Sequence, residues 1–398
     1  MNLPADVIEV IPALVVGFLL AFLVSLGLTP LVTKFARQRG MVDRPEARRV
    51  NTRTVARGGG VAIAVGFVSI SLLMLGINFG LGLNFVVQQK GVGPAQLAAL
   101  LGGAVLAAGI GLLDDIFQLR ARYQFVGQFV LAGVAVALGV SVTIVNFPFA
   151  ADGTLQIAGI FAAAITGIWI VGMVNSINFI DGLDGLSTGI ALIAVVTLGL
   201  ISLGVGTREP LVALLCFILA GALAGFLRWN FHPASIFTGT SGVMVVGYSL
   251  AILSILGAGK VAVAALVLGV PIMDTFWIVV RRTASKRSPF AADRNHIHHR
   301  LLDLGLSHRG TVLLIYVVCI LLALLSLRLS VMNQMYAFLG LIVLFGLALF
   351  FIERIGGGAG AIEQSLDADS YSGRADDEPD GAPPLTDSPS DSRQIDNF

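Results

Sequence analysis

Charge is what this chain has least of. Only 12% of its 398 residues are Asp, Glu, Lys or Arg, against roughly 25% in a soluble domain. Hydrophobic residues make up 56%, and mean hydropathy is +0.89. A soluble globular domain is excluded. Cysteine is almost absent: Cys216 and Cys319 both lie inside apolar stretches, which excludes a thiolate zinc site and leaves packing as their use. The chain also lacks the apolar–polar alternation of a membrane barrel. No basic region or small-residue cleavage site accompanies the first apolar stretch, which follows Asp6 and Glu9. It reads as a retained helix.

Long apolar runs are what the chain does have. A bilayer is crossed by roughly 20 apolar residues, and about eleven runs approach that length: 10–33, 59–80, 95–113, 125–142, 156–174, 186–204, 210–228, 243–258, 261–280, 311–328 and 334–352. The expected fold is all-α, a polytopic membrane protein of about 11 transmembrane helices over 1–355. Residues 356–398, acidic and rich in Ser and Pro, have too little apolar surface for a core and read as a disordered tail.

The net charge of +1 hides an asymmetry. Lys34, Arg37, Arg39, Arg44, Arg48, Arg49, Arg53 and Arg57 crowd the first connection; Arg281, Arg282, Lys286, Arg287, Arg294, Arg300 and Arg309 crowd the ninth. The positive-inside rule puts both in the cytoplasm, with the N-terminus outside and the C-terminus inside. Basic clusters beside membrane spans argue against a nucleic-acid partner.

The polar stretches all end odd-numbered spans, so all are expected at the cytoplasmic face. Asp114 and Asp115 follow the third; adjacent like charges want a cation or a proton between them. NSINFIDGLDGLSTG, 175–189, follows the fifth and sets Asn175, Asn178, Asp181 and Asp184 three apart, close to one helical turn. Oxygen groups at that spacing suit a hard cation such as magnesium. NFHPASIFTGTSG, 230–242, follows the seventh. DRNHIHHRLLDLGLSHR, 293–309, follows the ninth and mixes four of the five histidines with arginines. That mixture suits phosphate recognition. A zinc reading of His296, His298 and His299 lacks a Cys or acidic partner at zinc-like spacing. The glycines 58–60 beside Arg57 let backbone N–H groups approach an anion. Asp274 in VPIMDT reads equally as a partner for a neighbouring span's polar group and as a site residue.

Taken in order over 40–310, the acid pair, NxxNxxDGLDG, NFxPA, VPIxDT and HIHH resemble the polyprenyl-phosphate N-acetylhexosamine-1-phosphate transferase family. HIHHRLL resembles its UDP-N-acetylhexosamine branch, most closely the one forming undecaprenyl-linked N-acetylglucosamine. The resemblance implies that a polyprenyl phosphate attacks the sugar-bearing phosphorus of a UDP-N-acetylhexosamine, releasing UMP at the plasma membrane. It implies Asp114, Asp115 and Asp184 as catalytic residues. It implies Asn175, Asp181, Arg57, Arg294, His296, His298 and His299 as substrate-binding residues. Asn178 and Thr240 would hold Mg2+, with Mn2+ as an alternative, and a second copy of the chain is a further expected partner. The sequence departs from the family pattern where Asn51, Thr54 and Ala56 replace a His and two prolines, where Gln124 replaces a basic residue, and where Thr240 replaces an Asp metal ligand. A transporter and an inactive scaffold are the rival expectations; a transporter would place its polar groups near the bilayer midplane.

Overall fold

The computed structural model describes residues 5–43, 53–83, 86, 92–146, 153–204, 208–256, 260–284, 296–330, 332–344 and 346–347. Two compact units divide at 342/343. The first holds every residue of the site described below; of the second, only 343–344 and 346–347 are described. Arg294 and the tail 356–398 lie outside the described residues.

Apolar sequence with few interruptions gives helices: α1 Ala5–Gln38, α2 Gly60–Leu75 (prolonged by a π turn, Gly76–Gly80), α3 Pro94–Phe117, α4 Ala121–Ala137, α5 Gly159–Ile180, α6 Leu186–Ser202, α7 Pro210–Asn230, α8 Gly239–Ile255, α9 Lys260–Val267, α10 Gly269–Ala284, α11 Ile297–Asp303, α12 His308–Ser326 and α13 Met332–Leu344. Two short hairpin pairings interrupt them: β1 Val42–Asp43 with β2 Val55–Ala56, and β3 Ile144–Asn146 with β4 Thr154–Gln156. The all-α membrane class expected from composition is what the chain adopts.

Every apolar run coincides with a helix, but fewer than eleven qualify as spans by length. Among the described residues six helices are long and apolar enough, α1, α2 with its π turn, α3, α5, α7 and α12; α9 and α10, bent by 77°, make a seventh if counted together. Among the shorter helices, α6 and α8 have 17 residues each. Helices α6 and α8 open on Leu-Ser-Thr-Gly and Gly-Thr-Ser-Gly, and their hydroxyls bond to site groups.

Without a hydrophobic force between helices in lipid, small residues set how closely they pack. On α7, a Cβ at Gly221 would lie 2.1 Å from the Phe18 carbonyl oxygen, and one at Gly225 2.3 Å from that of Phe22. The α1 and α7 backbones therefore touch. Helix α8 is buried from Gly239 to Ser254, as a helix apolar on all sides must be. It packs against α2, α3 and α5. Its first turn, carrying Thr240, is thereby placed among the polar loops.

Candidate functional site

Three segments that leave or enter helices meet at one end of α8. The turn 181–185 joins α5 to α6, and the segment 231–238 joins α7 to α8. The end of the first connection is tied to the second segment, since Phe237 N–H donates to the Ala56 carbonyl at 2.8 Å. Gly59 and Gly60 N–H donate to the carbonyls of Phe237 and Thr238, each at 3.0 Å. The amides of Gly59 and Gly60 are thus spent on the neighbouring backbone instead of being held out to an anion. Glycine is needed at 60 for contact, because a Cβ there would lie 1.9 Å from Gly242 N.

Between these segments and the start of α12 lies a cavity of ≈ 810 Å³. Its oxygen donors include Asn178, Asp181, Asp184 and Thr240, and its cationic or imidazole groups include Arg57, His299, His308 and Arg309. Six residues expected from the sequence thus line one space: Arg57, Asn178, Asp181, Asp184, Thr240 and His299. Asp114, Asp115, Asn175, His296 and His298 do not line it.

Asp181 caps the end of α5 and accepts a hydrogen bond from the Ser187 hydroxyl. Burial raises its pKa to about 7, opposed by hydrogen bonds from Ser187 and Thr238 and by Arg57. The unfolded chain would ionise this group at its ordinary 3.8. Between those values the folded state holds a proton that the unfolded state has lost. Burial of Asp181 therefore reduces stability progressively as pH rises from about 4 to about 7, and the full reduction persists above. Asp181→Asn is expected to raise the thermal midpoint at pH 8 in EDTA, with the gain vanishing toward pH 4. An equal gain at both pH values would contradict this.

Asp184 has partners the sequence did not announce. Its Oδ2 accepts from His232 Nδ1 at 2.7 Å and from Ala234 N–H at 3.0 Å, and its own N–H donates to His308 Nε2 at 3.0 Å. Arg309 donates to the His232 carbonyl at 3.0 Å. Asp184, His232 and His308 form the one group among the described residues with three metal-type ligand atoms within 4.8 Å. The two imidazoles stack at 4.2 Å and 24°, and each is already bonded to Asp184. His232, His308 and Arg309 were not singled out: His232 stands alone in its stretch, and His308 and Arg309 lie at the far end of 293–309, past the HIHH cluster. The available signal was that every histidine of the chain falls in one of two polar stretches, 230–242 and 293–309.

Asp114 and Asp115 part company at the end of α3. Asp115 accepts from Thr240 N–H (2.8 Å), Ser241 N–H (3.0 Å) and the Ser241 hydroxyl (2.7 Å). It caps α8 from another helix, where the dipole favours a carboxylate. Asp114 accepts from Leu119 N–H, Gln124 Nε2 and the Thr240 hydroxyl. Two residues that depart from the family pattern, Gln124 and Thr240, thus both bond the same carboxylate. Asn175 donates to Gln128 Oε1 at 2.6 Å and to the Val171 carbonyl, an interhelical bond between α5 and α4.

His298 is 1% exposed. Burial, and then the neighbouring His299, His296 and His308, hold its pKa well below the ordinary imidazole value, so this histidine contributes packing and not charge. A Cβ at Gly182 would lie 2.3 Å from its Nε2; glycine there lets α11 rest on the 181–185 turn. His296, His298 and His299 stack or tilt against one another at 5.4 and 4.5 Å and do not form a zinc cluster.

The polar groups therefore converge at the ends of helices from across the chain, as a family with ordered motifs requires. Residues 97–258 match Glycosyl transferase family 4. A probable undecaprenyl-phosphate N-acetylglucosaminyl 1-phosphate transferase of Bacillus subtilis is 35% identical over 343 residues, covering 85% of this chain and 90% of the relative. The chain belongs to this transferase family. The decaprenyl-phosphate N-acetylglucosaminephosphotransferase of Mycolicibacterium smegmatis is 36% identical over 323 residues, covering 75% of this chain and 77% of its own length. An undecaprenyl-phosphate alpha-N-acetylglucosaminyl 1-phosphate transferase of Thermotoga maritima is 32% identical over 278 residues, covering 70% and 78%. The family bears out the resemblance carried by the ordered motifs, and it favours the transferase over the transporter and scaffold expectations.

Proposed function

We propose that the protein transfers N-acetylglucosamine-1-phosphate from a UDP-sugar to a membrane polyprenyl phosphate, giving a lipid-linked pyrophosphoryl sugar and UMP. The observation that carries this reading is the cavity itself, in which carboxylate, amide and hydroxyl oxygens face Arg57, His299 and Arg309. A diphosphate needs such cations, and a bound cation needs such oxygens.

A phosphate oxygen of the lipid attacks the sugar-bearing phosphorus. A new P–O bond forms, and the bond to the bridging oxygen breaks. That oxygen leaves with the electron pair as part of UMP. A phosphomonoester's second pKa is about 6, so the lipid phosphate enters mostly dianionic and no strong base is required. The protein's task is placement and charge neutralisation. Arg57, His299 and Arg309 hold the donor's phosphates. Asp184, tied to His232 and His308, keeps that wall oriented, while Asp114 and Asp115 set the first turn of α8.

Asn178, Asp181 and Thr240 are the donor set suited to Mg2+, or to Mn2+, and all three offer oxygen. The Thr240 hydroxyl donates its hydrogen bond to Asp114, which leaves its oxygen lone pairs free to face an ion. When bound, the ion neutralises charge that builds on the diphosphate. The arginine-rich first and ninth connections support placing this face in the cytoplasm, with the N-terminus outside and the C-terminus inside.

Purified protein given UDP-N-acetylglucosamine, polyprenyl phosphate and Mg2+ is expected to release UMP, and none in EDTA. Release of UDP instead would mean plain glycosyl transfer and would overturn the reading.

A further inference from the structure

Asp274 has no task in the proposed reaction, and its surroundings supply one. It sits on α10, past the 77° bend from α9, and is 2% exposed. A carboxylate there must be bonded to persist. Its Oδ2 lies 2.8 Å from His296 Nδ1, and its Oδ1 accepts from Ile297 N–H at 2.9 Å. Ile297 is the first residue of α11, and His296, at the N-cap, makes no side-chain cap bond of its own. Asp274 therefore supplies from α10 the cap that α11 lacks.

The consequence runs along a row of rings. His296 stacks on His298 at 5.4 Å and 11° and tilts against Phe179 on α5 at 5.7 Å. His298 is wedged over Gly182 and contacts the His299 ring at 4.5 Å. His299 lines the donor cavity.

We infer that Asp274 is a positioning residue: by holding His296 and the first amide of α11, it sets His299 in the cavity. Its effect on turnover rests on the transferase reading; the placement of His299 does not. The Nδ1 of His296 faces the carboxylate. Asp274→Asn keeps size and an acceptor for Ile297 N–H but presents His296 with an amide in place of a carboxylate.

The test uses the full chain in detergent with His299→Cys as a reporter, since Cys216 and Cys319 are buried. The maleimide labelling rate of this cysteine is expected to change several-fold when Asp274→Asn is added. His296→Leu is expected to act like Asp274→Asn. His296→Asn, whose amide can donate to Asp274, is expected to restore the parental labelling rate. With His299 in place, Asp274→Asn is expected to raise the KM for UDP-N-acetylglucosamine about tenfold, close to 1.4 kcal/mol, and to leave the KM for the lipid phosphate unchanged. Parental labelling in Asp274→Asn overturns the inference. So does a lowered thermal midpoint with both KM values raised alike, which would mean structural damage. Should Asp274→Asn fail to fold, the two His296 variants carry the same comparison. If the parent forms no product, the transferase reading falls, while the labelling rates still uphold or overturn the placement.

Discussion

Thr240→Asp is expected to lower the magnesium concentration for half-maximal turnover by about tenfold, and Thr240→Val to abolish turnover or raise that concentration as much. The Thr240 hydroxyl donates to Asp114, so a carboxylate at 240 would stand against a carboxylate at 114. Two such groups in contact repel unless a proton or cation lies between them. The Asp variant should therefore be less stable than the parent in EDTA and regain its thermal midpoint on addition of Mg2+. In the parent, with a neutral group at 240, the ion is expected to bind mainly together with the diphosphate, whose own charge attracts it. Magnesium titrations of turnover and of thermal midpoint, with and without UDP-N-acetylglucosamine, read both effects. A Thr240→Val protein indistinguishable from the parent would remove the hydroxyl from the metal site. An inert parent that gains turnover only as Thr240→Asp would return the chain to the scaffold reading.

Asp115→Ala is expected to lose folded protein before it loses chemistry. Three donors, the amides of Thr240 and Ser241 and the Ser241 hydroxyl, would be left without an acceptor at the buried start of α8. Hydrogen bonds to a charged group contribute roughly 1.5–3 kcal/mol each, so losing three is expected to cost about 5 kcal/mol or more. Asp115→Asn, which keeps an oxygen but adds an N–H facing donors, should fall between the two. Thermal unfolding in detergent, compared with turnover per folded molecule, separates the roles. A stable, monodisperse Asp115→Ala protein with no turnover would show that the group acts on substrate instead.

How much of this was legible depended on whether a signal was local. Apolar runs report helices because burial in lipid needs only length and composition, and all eleven found one. The three-residue spacing from Asn175 to Asp184 misled in part. Helix α5 ends at Ile180, so Asn178 is its last polar residue and the two carboxylates leave the helical period at a turn. Asn175, a full turn deeper, bonds Gln128 on α4. Spacing alone cannot place a helix end within a DGLDG stretch. The acid pair was expected to want a cation or a proton between its carboxylates. Asp114 is bonded by nearby Leu119 and Gln124 and by distant Thr240. Asp115 is bonded by donors some 125 residues away, which no period in the sequence connects. The same holds for His232 and His308, which meet at Asp184 across 48 and 124 residues. Ordered motifs carried what spacing did not, because their order reflects which loops the fold gathers at one face.

The most direct measurement follows the phosphorus. UDP-N-acetylglucosamine labelled at the sugar-bearing phosphate is incubated with the purified protein, polyprenyl phosphate and Mg2+, and the label is partitioned between solvent and lipid. Transfer of the sugar with its phosphate predicts label in the lipid fraction, matched mole for mole by unlabelled UMP in water. Label remaining in water, as UDP or as unreacted donor, would contradict the account.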